Sequence, residues 1–167
     1  MPKVLFKLIR LVRRFLGFSW QEQWICVEAF CLTGVTRLVI LLLPFRWMSM
    51  VLGKHMQESP IKEGVAEAAL AGLIGWGVET VSRYTPWESK CLVQAIVGKM
   101  MLRQYGIANT LYLGVGRDAG NSLVAHAWLR CGDTIITGRQ GRERFTMVGK
   151  FADHMNTKEM QKGGDTI

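Results

Sequence analysis

The periodicity of the chain changes near residue 85, and this change limits the possible folds more than any other feature. Before it, apolar residues recur every three or four positions, as in helices that bury one face. After one more helical stretch, Cys91 to Gln104, apolar and polar residues alternate in runs at Thr110–Val115, Leu123–Arg130 and Thr134–Thr137. This order predicts an α+β protein in which a helix packs on a small antiparallel sheet.

The length and composition agree with one folded core. The chain has 167 residues, of which 49% are apolar and 20% charged. These values exclude a chain that is disordered throughout, a collagen-like repeat and a disulfide-stapled miniprotein. We divide the chain into a helical region at residues 1–80, a core at residues 81–155 and a polar tail at residues 156–167 that we expect to be flexible.

The net charge of +8 is unevenly distributed. The first twenty residues contain five Lys or Arg and no acidic residue, and residues 3–16 place basic and apolar side chains on separate faces of a predicted helix. This helix either caps the core or lies on an anionic membrane surface or a partner protein. We predict no nucleic-acid partner.

The remaining composition signals concern membranes and metals. The longest apolar stretch, Ala29 to Phe45, is interrupted by Arg37. A membrane span needs about 20 predominantly apolar residues, so we predict a buried or interfacial helix. The four cysteines have neither metal-binding nor disulfide-framework spacing, which favours a cytoplasmic location without metal or cofactor.

Cys91 and His126 occur in contexts typical of a nucleophile and its base. Cys91 lies at the beginning of a predicted helix, and His126 lies within the second alternating run. A helix N-terminus and a nearby imidazole both favour the thiolate, which is the nucleophilic form of cysteine. Either residue alone is more often part of a core, but the two together, in this order, favour a cysteine acyl-transfer site.

The start of the nucleophile's helix has two interpretations. Thr85-Pro86-Trp87-Glu88 has the pattern of a capping box, which would place Cys91 in the second helical turn, beyond most of the dipole's effect. A second helix start, capped by Ser89, would instead leave Cys91 in the first turn. We predict the second start.

Four segments occur in a characteristic order: Cys91–Ala95, Arg103–Ile107, Leu113–Gly116 and Ala125–Leu129. Together they resemble the lasso-peptide maturation protease, a stand-alone leader peptidase of the transglutaminase-like cysteine protease superfamily. The run Arg37–Trp47 is similar to the helical region that precedes this catalytic core. The resemblance covers about residues 85–150.

The resemblance implies that Cys91 is the nucleophile and that His126 is the general base and acid. It also implies removal of a leader from a ribosomally synthesised precursor peptide, commonly just after a threonine at the leader's penultimate position. A separate ATP-dependent cyclase then joins the freed amine to an Asp or Glu side chain.

The third catalytic residue departs from the family pattern. The family often has Asp about a dozen residues after the histidine, where this chain has Gly138. Asp133 falls at the predicted hairpin turn, about 13 Å from His126 at about 3.3 Å per residue. We therefore expect a Cys-His dyad whose imidazole is oriented by Thr137, Gln140 or a backbone carbonyl.

The hairpin register has two alternatives. A turn at Cys131-Gly132 pairs His126 with Thr137, and a turn at Gly132-Asp133 pairs His126 with Arg139.

The oxyanion site is less defined than the nucleophile. The backbone N–H of Cys91 is the expected donor, because it lies at the attacking atom and at a helix start. Trp87 and Thr137 are candidates for contact with the oxyanion or the substrate, although Trp87 fits ordinary core packing equally well.

The expected partners are the precursor, a separate leader-recognition protein and the cyclase. Residues 1–80 contain no alternating run bounded by turn residues, whereas a leader-binding domain needs a sheet edge to which the leader adds as a strand. Two other functions are open: another amide-cleaving or acyl-transfer enzyme of the same fold, and a non-catalytic, membrane-associated scaffold.

Overall fold

The first half of the protein is helical, and an antiparallel sheet forms most of the second half. The structure is a computed structural model that describes residue 10, residues 12–61 and residues 64–154. The helices are α1 (Trp20–Leu42), α2 (Phe45–Val51), α3 (Val65–Ser82) and α4 (Cys91–Gln104), and residues 12–16 are also helical. The strands are β1 (Lys54–His55), β2 (Asn109–Arg117), β3 (Leu123–Cys131), β4 (Thr134–Thr137) and β5 (Thr146–Asp153), in the order β1-β5-β2-β3-β4. The predicted α+β class is confirmed. The predicted tail and most of the predicted 3–16 helix lie outside the described residues.

The helix α1 begins at a capping box and ends just before a proline. The Ser19 hydroxyl accepts a hydrogen bond from the Glu22 N–H, and the Glu22 carboxylate accepts one from the Ser19 N–H. The helix ends at Leu42, two residues before Pro44, because a proline disfavours helical geometry at the residue before it. Pro44 in the sequence predicts a break in the helix here, and the structure confirms it.

The sequence Ser59-Pro60 predicts the start of the next helix, and this prediction is wrong. Ser59-Pro60 has the pattern of a cap and a first helical proline, yet α3 begins at Val65 after Gly64. Ser59 is buried, and its backbone N–H and hydroxyl both lie 2.8 Å from the Thr110 hydroxyl. Because this serine is bound to β2, it caps no helix.

The sheet contains the three predicted strands and two that the sequence pattern does not predict. The strand β5 lacks regular alternation, because its first three residues are all exposed and its buried residues are Gly149, Phe151 and Ala152. The strand β1 has only two residues, which pair with Ala152 and Phe151 of β5. Neither strand has a period-two pattern long enough to recognise.

Glycines bring the helices close enough to shape the site. A Cβ atom at Gly98 of α4 would lie 2.8 Å from the Leu129 side chain, so α4 packs tightly on β3. A Cβ atom at Gly75 of α3 would lie 2.6 Å from the Ile136 carbonyl oxygen, so α3 lies against the edge strand β4. The N-terminus of α4, α3 and β4 therefore meet at one edge of the sheet.

A buried lysine joins α4 to β2 and β5. Lys99 is 1% exposed, and its Nζ lies 3.0 Å from Asn109 Oδ1, 3.2 Å from the Phe151 carbonyl oxygen and 2.9 Å from Asp153 Oδ2. Burial lowers the pKa of Lys99 from 10.5 to about 8, although the Asp153 carboxylate opposes this shift.

The pH dependence of stability should reveal this lysine. Because the folded-state pKa is lowered, the unfolded chain holds the proton more tightly, and the free energy of unfolding should rise by about 2 kcal/mol between pH 7 and pH 9.5. Chemical denaturation of the wild type and Lys99→Met at both pH values measures this rise. The variant should lack it, and an equal rise in both proteins would contradict the assignment.

Candidate active site

The thiol of Cys91 lies at the first residue of α4. Lys90 is the N-cap and makes no side-chain capping hydrogen bond, so the predicted second start is correct in position, although Ser89 is not the cap. The first four backbone N–H groups of a helix have no intrahelical acceptor. The half-buried Cys91 side chain is therefore at the positive end of the α4 dipole.

A short loop, Thr85 to Lys90, leads into the nucleophile. The Thr85 hydroxyl lies 3.1 Å from the Trp87 carbonyl oxygen and 2.9 Å from the Ser89 hydroxyl, so it supports the loop instead of capping a helix. The Gln94 side-chain amide donates to the Ser89 carbonyl at 2.8 Å. These contacts fix the chain immediately before Cys91.

The same loop is attached to α1. The Arg37 guanidinium lies 2.8 Å from the Glu88 carboxylate, and Glu88 also pairs with Lys90. Lys90 and, to a lesser extent, Arg37 lower the pKa of Glu88. The Trp87 ring packs 5.0 Å from that of Phe30 of α1, so a salt bridge and an aromatic contact connect α1 to the loop.

The His126 ring is held on β3 by one hydrogen bond and two aromatic neighbours. Its Nε2 lies 2.9 Å from the Gly138 carbonyl oxygen, and its ring stacks on those of Phe145 at 4.9 Å and Trp128 at 6.0 Å. Because a carbonyl oxygen only accepts hydrogen bonds, Nε2 carries the proton of the neutral ring. The other nitrogen, Nδ1, is then the atom that can accept a proton.

The group that orients His126 is therefore a backbone carbonyl, one of the three predicted alternatives. It belongs to Gly138, the position at which the resembling family often has Asp. Gly138 has a φ of +72°, and a Cβ atom there would clash with the Ala127 carbonyl oxygen. Only glycine fits this conformation without strain.

Neither predicted hairpin register is correct. The turn is at Gly132-Asp133, with Cys131 opposite Thr134, but a bulge shifts the register so that Leu129 lies opposite Thr137. The strand β4 ends there, so His126 has no backbone partner on β4. A bulge adds one unpaired residue, which counting from the turn alone does not reveal.

Cys91 and His126 line one cleft of about 560 Å³ between α3, the start of α4 and the β4 edge. Its polar lining residues include Glu79, Arg83, Gln94, Arg139 and Gln140. Within the described part of the chain, no hydrogen bond joins the thiol of Cys91 to the ring of His126. Catalytic hydrogen bonds are often long before substrate binds and shorten in the complex, so this arrangement is compatible with a dyad.

The other two predicted site residues do not line this cleft. Trp87 packs between the loop and α1, and Thr137 is fully buried next to α4. The Trp87 indole nitrogen and the Thr137 hydroxyl are buried, and neither has a hydrogen-bond partner among the residues that the structure describes. Gln94 and Gln140 are better placed to contact a substrate.

Residues 10, 12–61 and 64–154 contain no cluster of three or more His, Cys, Asp or Glu residues that could hold a metal ion.

A family model described as the transglutaminase-like superfamily matches residues 39–150, more than half of the chain. The chain belongs to the transglutaminase-like superfamily. This superfamily includes cysteine proteases and acyltransferases, and the matched range contains Cys91, His126 and Gly138. No curated protein and no solved structure matches the chain significantly.

Asp133 should contribute little to turnover by this transglutaminase-like protein. It is exposed at the hairpin turn and accepts a hydrogen bond from the Thr134 hydroxyl, while the His126 ring is bound to Gly138. Asp133→Asn should change kcat/KM by less than about tenfold, because it removes no hydrogen bond to the imidazole. A loss as large as that of His126→Ala would place Asp133 in a triad.

Gly138→Ala should reduce activity more than its effect on stability explains. The added Cβ must displace the backbone near Ala127, and the carbonyl that holds His126 moves with it. We expect kcat/KM to fall by at least about tenfold.

Gly106→Ala is the matched control for this change. Gly106 has a similar φ of +68°, but a Cβ atom there would meet nothing within 4 Å. Both variants carry the same conformational cost, so thermal unfolding and kinetics of the pair separate strain from loss of the carbonyl. Equal activity in the two variants would mean that the Gly138 carbonyl does not orient His126.

Proposed function

We propose that this chain is a cysteine endopeptidase that removes the leader peptide from a ribosomally synthesised lasso-peptide precursor, before a partner cyclase forms the macrolactam. The observation that carries the proposal is the shared cleft of Cys91 and His126, with Cys91 at the first residue of α4 and His126 fixed by the Gly138 carbonyl. Membership in a superfamily that includes cysteine proteases supports the reaction type, and the ordered segments of sequence support the substrate.

In the proposed reaction, Nδ1 of His126 accepts the thiol proton of Cys91, and the thiolate attacks the carbonyl carbon at the end of the leader. The backbone N–H of Cys91 donates to the resulting oxyanion. The imidazolium then gives its proton to the departing amine, which becomes the N-terminus of the core peptide. Water, deprotonated by His126, hydrolyses the thioester and releases the leader as a carboxylic acid. The Gly138 carbonyl accepts from Nε2 throughout.

The proposal includes a separate leader-recognition protein and a cytoplasmic location, where the cyclase has ATP. Between residues 12 and 80, the described part of the chain contains a single strand, β1, which has two residues. A leader that adds to a sheet needs a longer exposed edge for tight binding. We therefore expect the chain alone to bind the leader weakly and to cleave it slowly.

Cleavage of candidate precursor peptides, followed by mass spectrometry, tests the activity. The expected result is one cut at the leader boundary, faster with the recognition protein than without it. Tight leader binding and full-rate cleavage by the chain alone would refute the division into two proteins. Cleavage of unrelated amides but of no precursor would favour another acyl-transfer reaction of the same fold.

Thiol alkylation separates an enzyme from a scaffold without any substrate. Cys31 is exposed and serves as the internal reference, while Cys26 and Cys131 are buried. Burial raises the pKa of Cys26, so this thiol should react slowly. Near neutral pH, Cys91 should be labelled faster than Cys31 despite its lower exposure. Labelling of Cys91 no faster than Cys31 would favour the scaffold.

A further inference from the structure

One face of α1 is apolar and exposed along its whole length. The seven residues on this face follow a spacing of three or four positions. They are Trp20, Trp24, Val27, Cys31, Val35, Leu38 and Leu42, and each is exposed to solvent. We call this set the outer α1 face. It extends over about 33 Å at about 1.5 Å per residue and contains no charged residue.

The opposite face of α1 is bound to the rest of the protein. Ile25, Ala29 and Thr33 are at most 1% exposed, and α1 packs on α3 and α4. By length and composition α1 could cross a membrane. Crossing would remove this buried face from the core, so the packing favours a helix that stays on the protein and presents only its outer face.

The segments just before and just after the outer α1 face are basic. Arg13 and Arg14 are exposed just before α1, and Arg46 is exposed just after it. The first twenty residues contain no acidic residue. Three of the six tryptophans, Trp20, Trp24 and Trp47, are exposed near the two ends of this helix. Tryptophans beside basic residues are typical of surfaces that bind the interface of a lipid bilayer.

An apolar pocket of about 320 Å³ adjoins the face at Val27. Phe15, Phe18, Phe30 and other apolar residues line it, together with Arg14. The combination of apolar walls and an arginine suits the acyl chain and the phosphate of an anionic lipid.

We propose that the outer α1 face binds the surface of an anionic lipid bilayer, with α1 lying parallel to the membrane. Protein interfaces typically contain one hydrogen bond per 100–200 Å², and the side chains of this face offer only two indole N–H groups and a thiol as polar groups. The basic segments before and after it match an anionic surface. The proposal goes beyond the proposed protease activity and does not depend on it.

Sedimentation of the full chain with vesicles tests the proposal. We expect binding to vesicles of phosphatidylcholine with phosphatidylglycerol, and binding at least about tenfold weaker to phosphatidylcholine alone. Leu38→Asp places a charge on the outer face at a side chain that is 60% exposed, so the fold should survive while binding falls at least about tenfold. Arg13→Glu with Arg14→Glu should weaken binding to anionic vesicles, since each lost basic residue accounts for about fivefold.

Leu123→Asp is the matched control, because Leu123 is 72% exposed and lies on β3, away from α1. This variant should sediment like the wild type, and circular dichroism should show equal helix content in all variants. Failure of the wild type to bind any vesicle would overturn the proposal. Equal binding by Leu38→Asp and the wild type would also overturn the proposal. A stable dimer that buries the outer α1 face would overturn it too.

Discussion

Replacement of Cys91 by alanine should abolish cleavage of the precursor, with a loss of at least about 10⁴-fold in kcat/KM. In the proposed reaction this sulfur forms the bond to the leader's carbonyl carbon, and alanine removes that nucleophile from the cleft. Cys91→Ser should be nearly as inactive, because a hydroxyl at the same position is far less acidic than a thiol. Mass spectrometry of precursor incubated with each variant measures the loss.

The exposed Cys31 provides the control for this experiment. Cys31→Ala should retain wild-type cleavage, since Cys31 lies on the far side of α1 from the packed core. Processing by Cys91→Ala at the wild-type rate would exclude the protease function. Alkylation of Cys91 at the expected rate, combined with no cleavage of any precursor, would leave an acyl-transfer enzyme with a different substrate.

Replacement of His126 by alanine should lower kcat/KM by about 10³-fold while the protein still folds. In the proposed reaction the imidazole removes the thiol proton and later protonates the amine, and among the described residues no other histidine lines the cleft. Cys91 should also be alkylated more slowly in the variant than in the wild type, although the thiol itself is unchanged. Stopped-flow labelling measures this rate.

His154→Ala is the matched control, because His154 is exposed and bound to Gln57, outside the cleft. It should cleave the precursor and label Cys91 like the wild type. An unchanged alkylation rate in His126→Ala would show that His126 does not activate the thiol, whatever its effect on cleavage.

The sequence predicts well the helices and strands whose bounds are determined by neighbouring residues. The bounds of α4, Cys91 to Gln104, agree with the structure, because an apolar stripe and a terminal Gly106 define them. The strands β2 to β4 lie at the three predicted runs, which are separated by turns. In contrast, Ser59 has the local pattern of a helix cap and instead binds Thr110, 51 residues away. A contact between residues so far apart in the sequence cannot be predicted from the residues next to Ser59.

The candidate site likewise contains residues that the local sequence predicts and residues that it does not predict. Cys91 and His126 are recognisable in the sequence because their side chains are chemically reactive and because they lie in clear helix and strand patterns. The loop before Cys91 depends on Arg37 and Glu88, which are also 51 residues apart, and no short motif joins them. Gln94 was recognisable in principle, since it lies three residues after Cys91 and therefore on the same side of α4.

The orienting group of His126 has a consequence for how related chains are surveyed. Alanine scanning removes side chains, and Gly138 has none to remove. A scan of this site would therefore report two participating residues, although three groups take part in the proposed reaction. A search that requires a carboxylate in the third position would reject the chain altogether. A better filter is geometric: it asks whether any acceptor, including the main chain, lies within hydrogen-bond distance of the far imidazole nitrogen.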